Sequence, residues 1–205
     1  MDPYQALLSG QYYHVVSRAN GNELLFRNAE NYRFFMERYQ KYIQPVATCF
    51  AFALLPNHFH FLIKIKDENV LQPLYKVATG KNTNGDWQPG FVIKQWSHLL
   101  NSYAKSFNSV YHRKGALFID AIRRIAVNQE SDLCNVAFYI HKNPVHHGFC
   151  KKISDWKWSS YNSIISQKPT LIERTTVLEW FGGTDRFIFY HNQPVELKTT
   201  TAFEI

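Results

Sequence analysis

His58 and His60 stand two residues apart in the run HFHFLIKI, with Phe59 and Phe61 alternating between them. In an extended strand, side chains at this spacing share a face, so the two imidazoles project together while the two phenylalanines turn to the other side. Two neutral imidazoles a few ångströms apart can chelate one divalent metal ion. Pro56-Asn57 directly precedes the pair and reads as a turn, which places the imidazoles at a strand mouth where solvent and substrate can enter. An ordinary strand alternating His with Phe would show the same spacing.

A second group of chemistry-bearing residues falls on the predicted helix Glu130–Asn143. At about 100° per residue, Leu133, Val136, Ala137 and Ile140 form its buried stripe, and Tyr139, Asn143 and Asp132 share one flank. Tyr139 and Asn143 are four apart, hence neighbours on the helix surface. Asn143 can offer a metal its amide oxygen, and Tyr139 can present a phenol to whatever the metal holds. The alternative is a tyrosine at the core margin and an asparagine closing the helix before Pro144. His14 either approaches the same face or serves as a structural histidine, and His141, His146 and His147 read as surface or phosphate-contact residues.

The elements that must position these groups follow from periodicity and turn chemistry. Tyr12–Ala19 reads as a strand closed by Asn20-Gly21. Asn28–Ile43 repeats its apolar residues at three and four and ends before Pro45, an amphipathic helix. Ala47–Leu55 and His58–Lys66 form an antiparallel hairpin around Pro56-Asn57. Residues 79–90 (TGKNTNGDWQPG) read as a flexible surface loop dividing a short helix, about Leu71–Val77, from a longer one, about Ile93–Tyr111. Ala121–Val127 is a fourth strand, and the Tyr139 helix follows. The order β-α-β-β-α-β predicts an α+β, ferredoxin-like antiparallel sheet with helices on one face and an added C-terminal helix bearing the tyrosine.

Composition narrows the class. The 205 residues are 45% hydrophobic and 19% charged, which excludes disorder, and the longest apolar run, Cys49–Leu55, is far too short to span a membrane. No signal-like stretch opens the chain, so a cytoplasmic, nucleoid-associated location is expected. Cys49, Cys134 and Cys150 have no CxxC spacing and read as packing residues. The net charge of +7 is uneven: residues 1–80 carry +2, residues 81–160 carry +6 and residues 161–205 carry −1. Between Lys94 and Arg124, the basic residues Lys94, Lys105, Arg113, Lys114, Arg123 and Arg124 face only Asp120, a bias suited to a polyanionic partner. Trp156, Trp158 and Tyr161 either stack on bases or pin a C-terminal segment to the core.

The segment LLPNHFHFLIKI, followed about eighty residues later by FYIHKNPVHHGF and then WKWSSY, resembles the single-tyrosine HUH transposases of the IS200/IS605 type, and within them the REP-associated tyrosine transposases. YYHVVSRANGNELLF and GALF at Gly115–Phe118 extend the resemblance over roughly residues 10–162. The chain departs from the family pattern at residues 119–121, Ile-Asp-Ala, and in the 79–90 loop.

The resemblance implies a transposase domain over residues 1–162 with residues 163–205 docking on it. It implies Tyr139 as nucleophile and His58, His60 and Asn143 as holders of Mg²⁺ or Mn²⁺. The implied activity is nicking and rejoining of single-stranded, hairpin-flanked DNA through a 5′-phosphotyrosine link, by a homodimer or a monomer and without a membrane. An inactive DNA-binding relative and a metal-dependent hydrolytic nuclease are the alternatives.

Overall fold

The computed structural model describes residues 4–80 and 89–193. Positions 81–88 of the expected loop and positions 194–205 of the C-terminal extension lie outside the described residues. Strands β1 (Tyr12–Arg18), β2 (Ala47–Leu55), β3 (His58–Ile65) and β4 (Arg123–Ala126) form one antiparallel sheet in the order β2-β3-β1-β4. Helices α1 (Ala29–Tyr42) and α3 (Gly90–Val110) supply the crossovers, with α2 (Glu68–Thr79) between β3 and α3. The α+β class and the β-α-β-β-α-β order are those expected.

Asn28 caps α1, its side chain accepting from the Asn31 amide, and the helix ends just short of Pro45. Helix α2 begins earlier than its apolar pattern suggests and runs through Pro73, although proline removes one backbone donor. The alternation of β3 sends Phe59 and Phe61 toward α1 and α3, where they meet Phe35, Tyr39 and Trp96 in an aromatic core. The other face of the sheet carries His14, Val16, His58 and His60, in register across β1 and β3.

That second face is covered by α4 (Glu130–His146), so the sheet lies between helices. Pro144 does not stop α4, contrary to expectation. The proline removes a single backbone bond in the last turn, and beyond it His147 N–H still donates to Asn143 O at 3.0 Å. The helix closes in a Schellman turn, with Gly148 at φ +72°, Gly148 N–H on Val145 O and Phe149 N–H on Pro144 O.

Helices α5 (Tyr161–Ile165), α6 (Arg174–Phe181) and α7 (Thr184–His191) complete the described chain. The α6 and α7 pair packs on the outer side of α4, which is why Phe138 and His141 are buried along with the predicted stripe. Residues 158–160 and 172 bridge to β2 and cover its edge, which would otherwise expose unpaired backbone. Among the described residues no helix is long and apolar enough to cross a membrane.

Candidate active site

The β1–β3 register sets Arg18 opposite His58 and Val16 opposite His60. His58 and His60 therefore emerge side by side, their ring centroids 5.0 Å apart at 84°. From above, α4 lowers Tyr139 onto them, its ring edge-on to His60 at 5.7 Å and to His14 at 5.8 Å. Asn143, one turn later, is wholly buried and donates its Nδ2–H to Tyr139 O at 3.2 Å. It sits inside the helix, so the capping alternative for Asn143 falls with the expected stop at Pro144. All four residues line one cavity of about 330 Å³, together with Arg18, Asn57, His146, His147 and Phe149.

Each imidazole is oriented by a partner. His58 Nδ1 lies 2.8 Å from Asn57 Oδ1, an acceptor, which fixes the proton on Nδ1 and leaves Nε2 bare. His60 Nδ1 lies 2.9 Å from His14 Nε2. Burial lowers the pKa of His58 to about 4, with His147 and Arg18 adding to it. Burial likewise pushes His60 well below its ordinary value, helped by His14, His58 and His147, and holds His14 down at about 3. Asn143 works the other way at His58 and His60, its amide favouring the charged ring, so it faces both, although its Oδ1 makes no well-aligned hydrogen bond. The three imidazoles are neutral at pH 7, the form that can donate a lone pair to a cation.

The donor set fits a divalent ion. His60 Nε2 and Asn143 Oδ1 are buried without a hydrogen-bond partner, a cost of about 1–3 kcal/mol each that a cation would offset. Among the described residues no three His, Cys, Asp or Glu side chains gather into a metal site. An ion here therefore depends on the Asn143 amide as third donor beside two imidazoles.

The basic residues do not gather as one surface. Arg124 is buried and donates to the carbonyls of Tyr4, Gln5 and Ile122, so it ties the N-terminal segment to β4 and is not a DNA contact. Arg113 is likewise engaged, donating to Glu23 at 2.8 Å, to Asn108 Oδ1 at 2.9 Å and to Ala116 O at 2.9 Å. Lys94 and Lys105 are exposed on α3, the layer across the sheet from the cavity, and Lys114 is exposed in the loop after it. Arg123 alone lies on the cavity's side, half-buried beside Arg18 in an adjoining cleft.

Of the other candidates, Trp156 donates its indole N–H to Leu54 O at 2.9 Å and Trp158 stacks on Tyr32 at 4.4 Å, so both pin the C-terminal segment. His141 is fully buried rather than on the surface. Its Nδ1 lies 2.9 Å from His191 Nε2 and its Nε2 lies 2.7 Å from Ser160 Oγ, a buried chain of hydrogen bonds joining α4 to α7 and, through Ser160, to Phe52 of β2. Sequence reasoning missed Arg18, Asn57, His147 as a cavity residue, and Phe149. The first needs the β1–β3 register, and the last two need α4 to pass through Pro144.

No protein-family model matches the chain. A curated protein of Haemophilus influenzae, provisionally named a REP-associated tyrosine transposase, is 26% identical over 139 residues, covering 67% of each chain. A solved structure of a REP-associated tyrosine transposase bound to a REP hairpin superposes with a TM-score of 0.57 at 15% identity, covering 81% of this chain and 87% of that one. The chain is thus similar in sequence to one such protein and shares the fold of another.

Proposed function

We propose that this chain is a DNA strand-transfer enzyme of the REP-associated tyrosine transposase kind, nicking and rejoining single-stranded DNA beside a hairpin. The observation that carries the reading is the convergence of His58, His60, Asn143 and Tyr139 in one cavity from two separate elements. The H. influenzae relative is named a REP-associated tyrosine transposase, and the solved neighbour is bound to a REP hairpin. Tyr139 is only 3% exposed, so a phosphate must enter the cavity to meet it, which a duplex would not do.

His58, His60 and Asn143 would hold Mg²⁺ or Mn²⁺, whose bound charge polarises the scissile phosphate and offsets charge developing on it. Tyr139 attacks phosphorus through its phenolic oxygen. The new bond joins that oxygen to phosphorus, and the bond from phosphorus to the 3′ oxygen breaks. The phenol's proton leaves to solvent and the departing 3′ oxygen takes one up, giving a 5′-phosphotyrosine and a free 3′-hydroxyl. Attack by a 3′-hydroxyl on that link reverses the step and joins strands, with no external energy source.

The test is a denaturing gel of the protein incubated with Mn²⁺ and a labelled hairpin oligonucleotide bearing single-stranded arms from the inverted repeats beside the gene. A covalent adduct through the 5′ phosphate, absent in Tyr139→Phe, supports the reading. Cleavage by Tyr139→Phe that releases a free 5′ phosphate makes water the nucleophile and the hydrolytic alternative correct. Binding without cleavage by the unaltered chain marks a DNA-binding relative.

A further inference from the structure

Two side chains line the cavity without belonging to its metal and nucleophile set, and their chemistry is complementary. Arg18 ends β1 opposite His58, is exposed, and its guanidinium has no hydrogen bond or ion pair among the described residues. Arg27, Arg33, Arg113, Arg124 and Arg174 all bind protein oxygens. Arg18 also lines the adjoining cleft that holds Arg123, so its guanidinium stands where the two clefts meet.

Phe149 is 41% exposed and is the one exposed large apolar side chain among the residues that line this cavity. The Schellman turn at Gly148 swings it back from the end of α4 to the cavity that Tyr139 enters. Trp156 lies behind it at 5.8 Å and is fixed by its indole hydrogen bond to β2, so the ring is a backed platform rather than a loose side chain. A free guanidinium and an open aromatic face along one cavity are what a single-stranded nucleotide needs, the first for its phosphate and the second for its base.

We propose that Phe149 stacks on the base of one nucleotide next to the cleaved bond while Arg18 binds a phosphate of the same strand as it passes into the Arg123 cleft. The inference rests on the function proposed above and names the subsite that holds the strand. It makes Phe149 and Arg18 positioning residues, acting on the DNA and not on the bond being broken. Because stacking reads a π-face rather than a base edge, the subsite is tolerant of base identity and sensitive to base presence.

The experiment is an abasic scan. The full chain is titrated with the fluorescein-labelled hairpin oligonucleotide, each single-stranded position in turn carrying a phosphate and sugar but no base. One position is expected to lose roughly tenfold in affinity when its base is removed. Phe149→Ala should bind the intact strand about tenfold more weakly and show a flat profile, and Phe149→Trp should restore the dip. Arg18→Gln should keep the dip and lower the slope of log K against log salt by about 0.7, the value for one single-strand phosphate.

A Phe149→Ala profile with the dip intact overturns the stacking role, as does a flat profile in the unaltered chain. An unchanged salt slope in Arg18→Gln overturns the phosphate contact. Failure here is separable from failure of the proposed chemistry. If the unaltered chain forms the tyrosine adduct but its dip ignores Phe149, only the subsite is wrong. If the dip depends on Phe149 and no adduct forms, the subsite stands and the chemistry does not.

Discussion

The rings of His14 and His60 lie edge to edge and nearly coplanar, centroids 5.1 Å apart and 11° from parallel, with Nε2 of the first 2.9 Å from Nδ1 of the second. Of the two tautomers that satisfy this bond, only one leaves His60 Nε2 bare for a cation, the one in which His60 donates and His14 accepts. His14 thus selects the form of its neighbour without touching a metal itself. Replacing His14 with Ala should weaken Mn²⁺ binding by about 10–100-fold while all three donors remain. Calorimetric titration of the variant checks this, and unchanged affinity would remove His14 from the metal site.

Asn143 brings a neutral oxygen to a place that two neutral imidazoles share. Asn143→Asp adds a negative charge there at almost no change in volume. It should tighten Mn²⁺ binding and, without metal, lower the melting temperature, because a buried carboxylate lacks compensation. Melting curves with and without EDTA should diverge more for the variant than for the unaltered chain. Equal divergence would place the third donor elsewhere.

Arg123 and Arg124 are adjacent in sequence and point to opposite faces of the sheet. Arg124→Ala breaks charge-assisted bonds from a buried guanidinium to three carbonyls and should destabilise the chain by about 2–3 kcal/mol. Arg123→Gln should leave stability nearly unchanged and reduce the salt dependence of DNA binding. Urea titration and binding at several salt concentrations separate the two. A stability loss confined to Arg123→Gln would reverse the assignment.

Burial lowers His191 to about 4, opposed by its bond to the Phe187 carbonyl and aided by Lys142. The unfolded chain takes up a proton near 6.5 that the folded chain refuses, so stability is full above about pH 6.5 and falls as pH drops toward 4. The slope for this group approaches roughly 1.4 kcal/mol per pH unit. His191→Gln should flatten part of the acid loss in urea titrations between pH 6 and 4. His141, His14, His58 and His60, shifted in the same direction by burial, keep the rest. A variant as acid-sensitive as the unaltered chain would show that His191 is solvated.

The strands and the two crossover helices were legible because their patterns are local: alternation in HFHFLIKI, spacing by three and four in α1, a turn at Pro56-Asn57. Tyr139 and the two histidines were legible for the same reason. Pro144 misled because its local rule, no N–H and hence a helix end, yields where backbone bonding continues beyond it, as from His147 N–H to Asn143 O. Burial all round α4 could not be read from a stripe of apolar residues, since α6 and α7 cover its second side with Phe187 and His191. Arg113 and Arg124 looked like Arg123 in sequence. What distinguishes them is the oxygens they meet: for Arg113 the distant Glu23 carboxylate and the nearby Gly115 and Ala116 carbonyls, for Arg124 the carbonyls of Ile122 and of Tyr4 and Gln5 in the N-terminal segment.

The hydrogen-bonded chain of His191, His141 and Ser160 moors the Tyr139 helix to its own sheet and its own C-terminal helix. A helix held on both flanks in this way cannot be lent to a neighbouring copy without breaking buried bonds. Tyr139 and Asn143 accordingly stay with the His58 and His60 of their own chain, and if the proposed chemistry holds, turnover per molecule should stay constant on dilution, through any concentration at which paired copies would come apart.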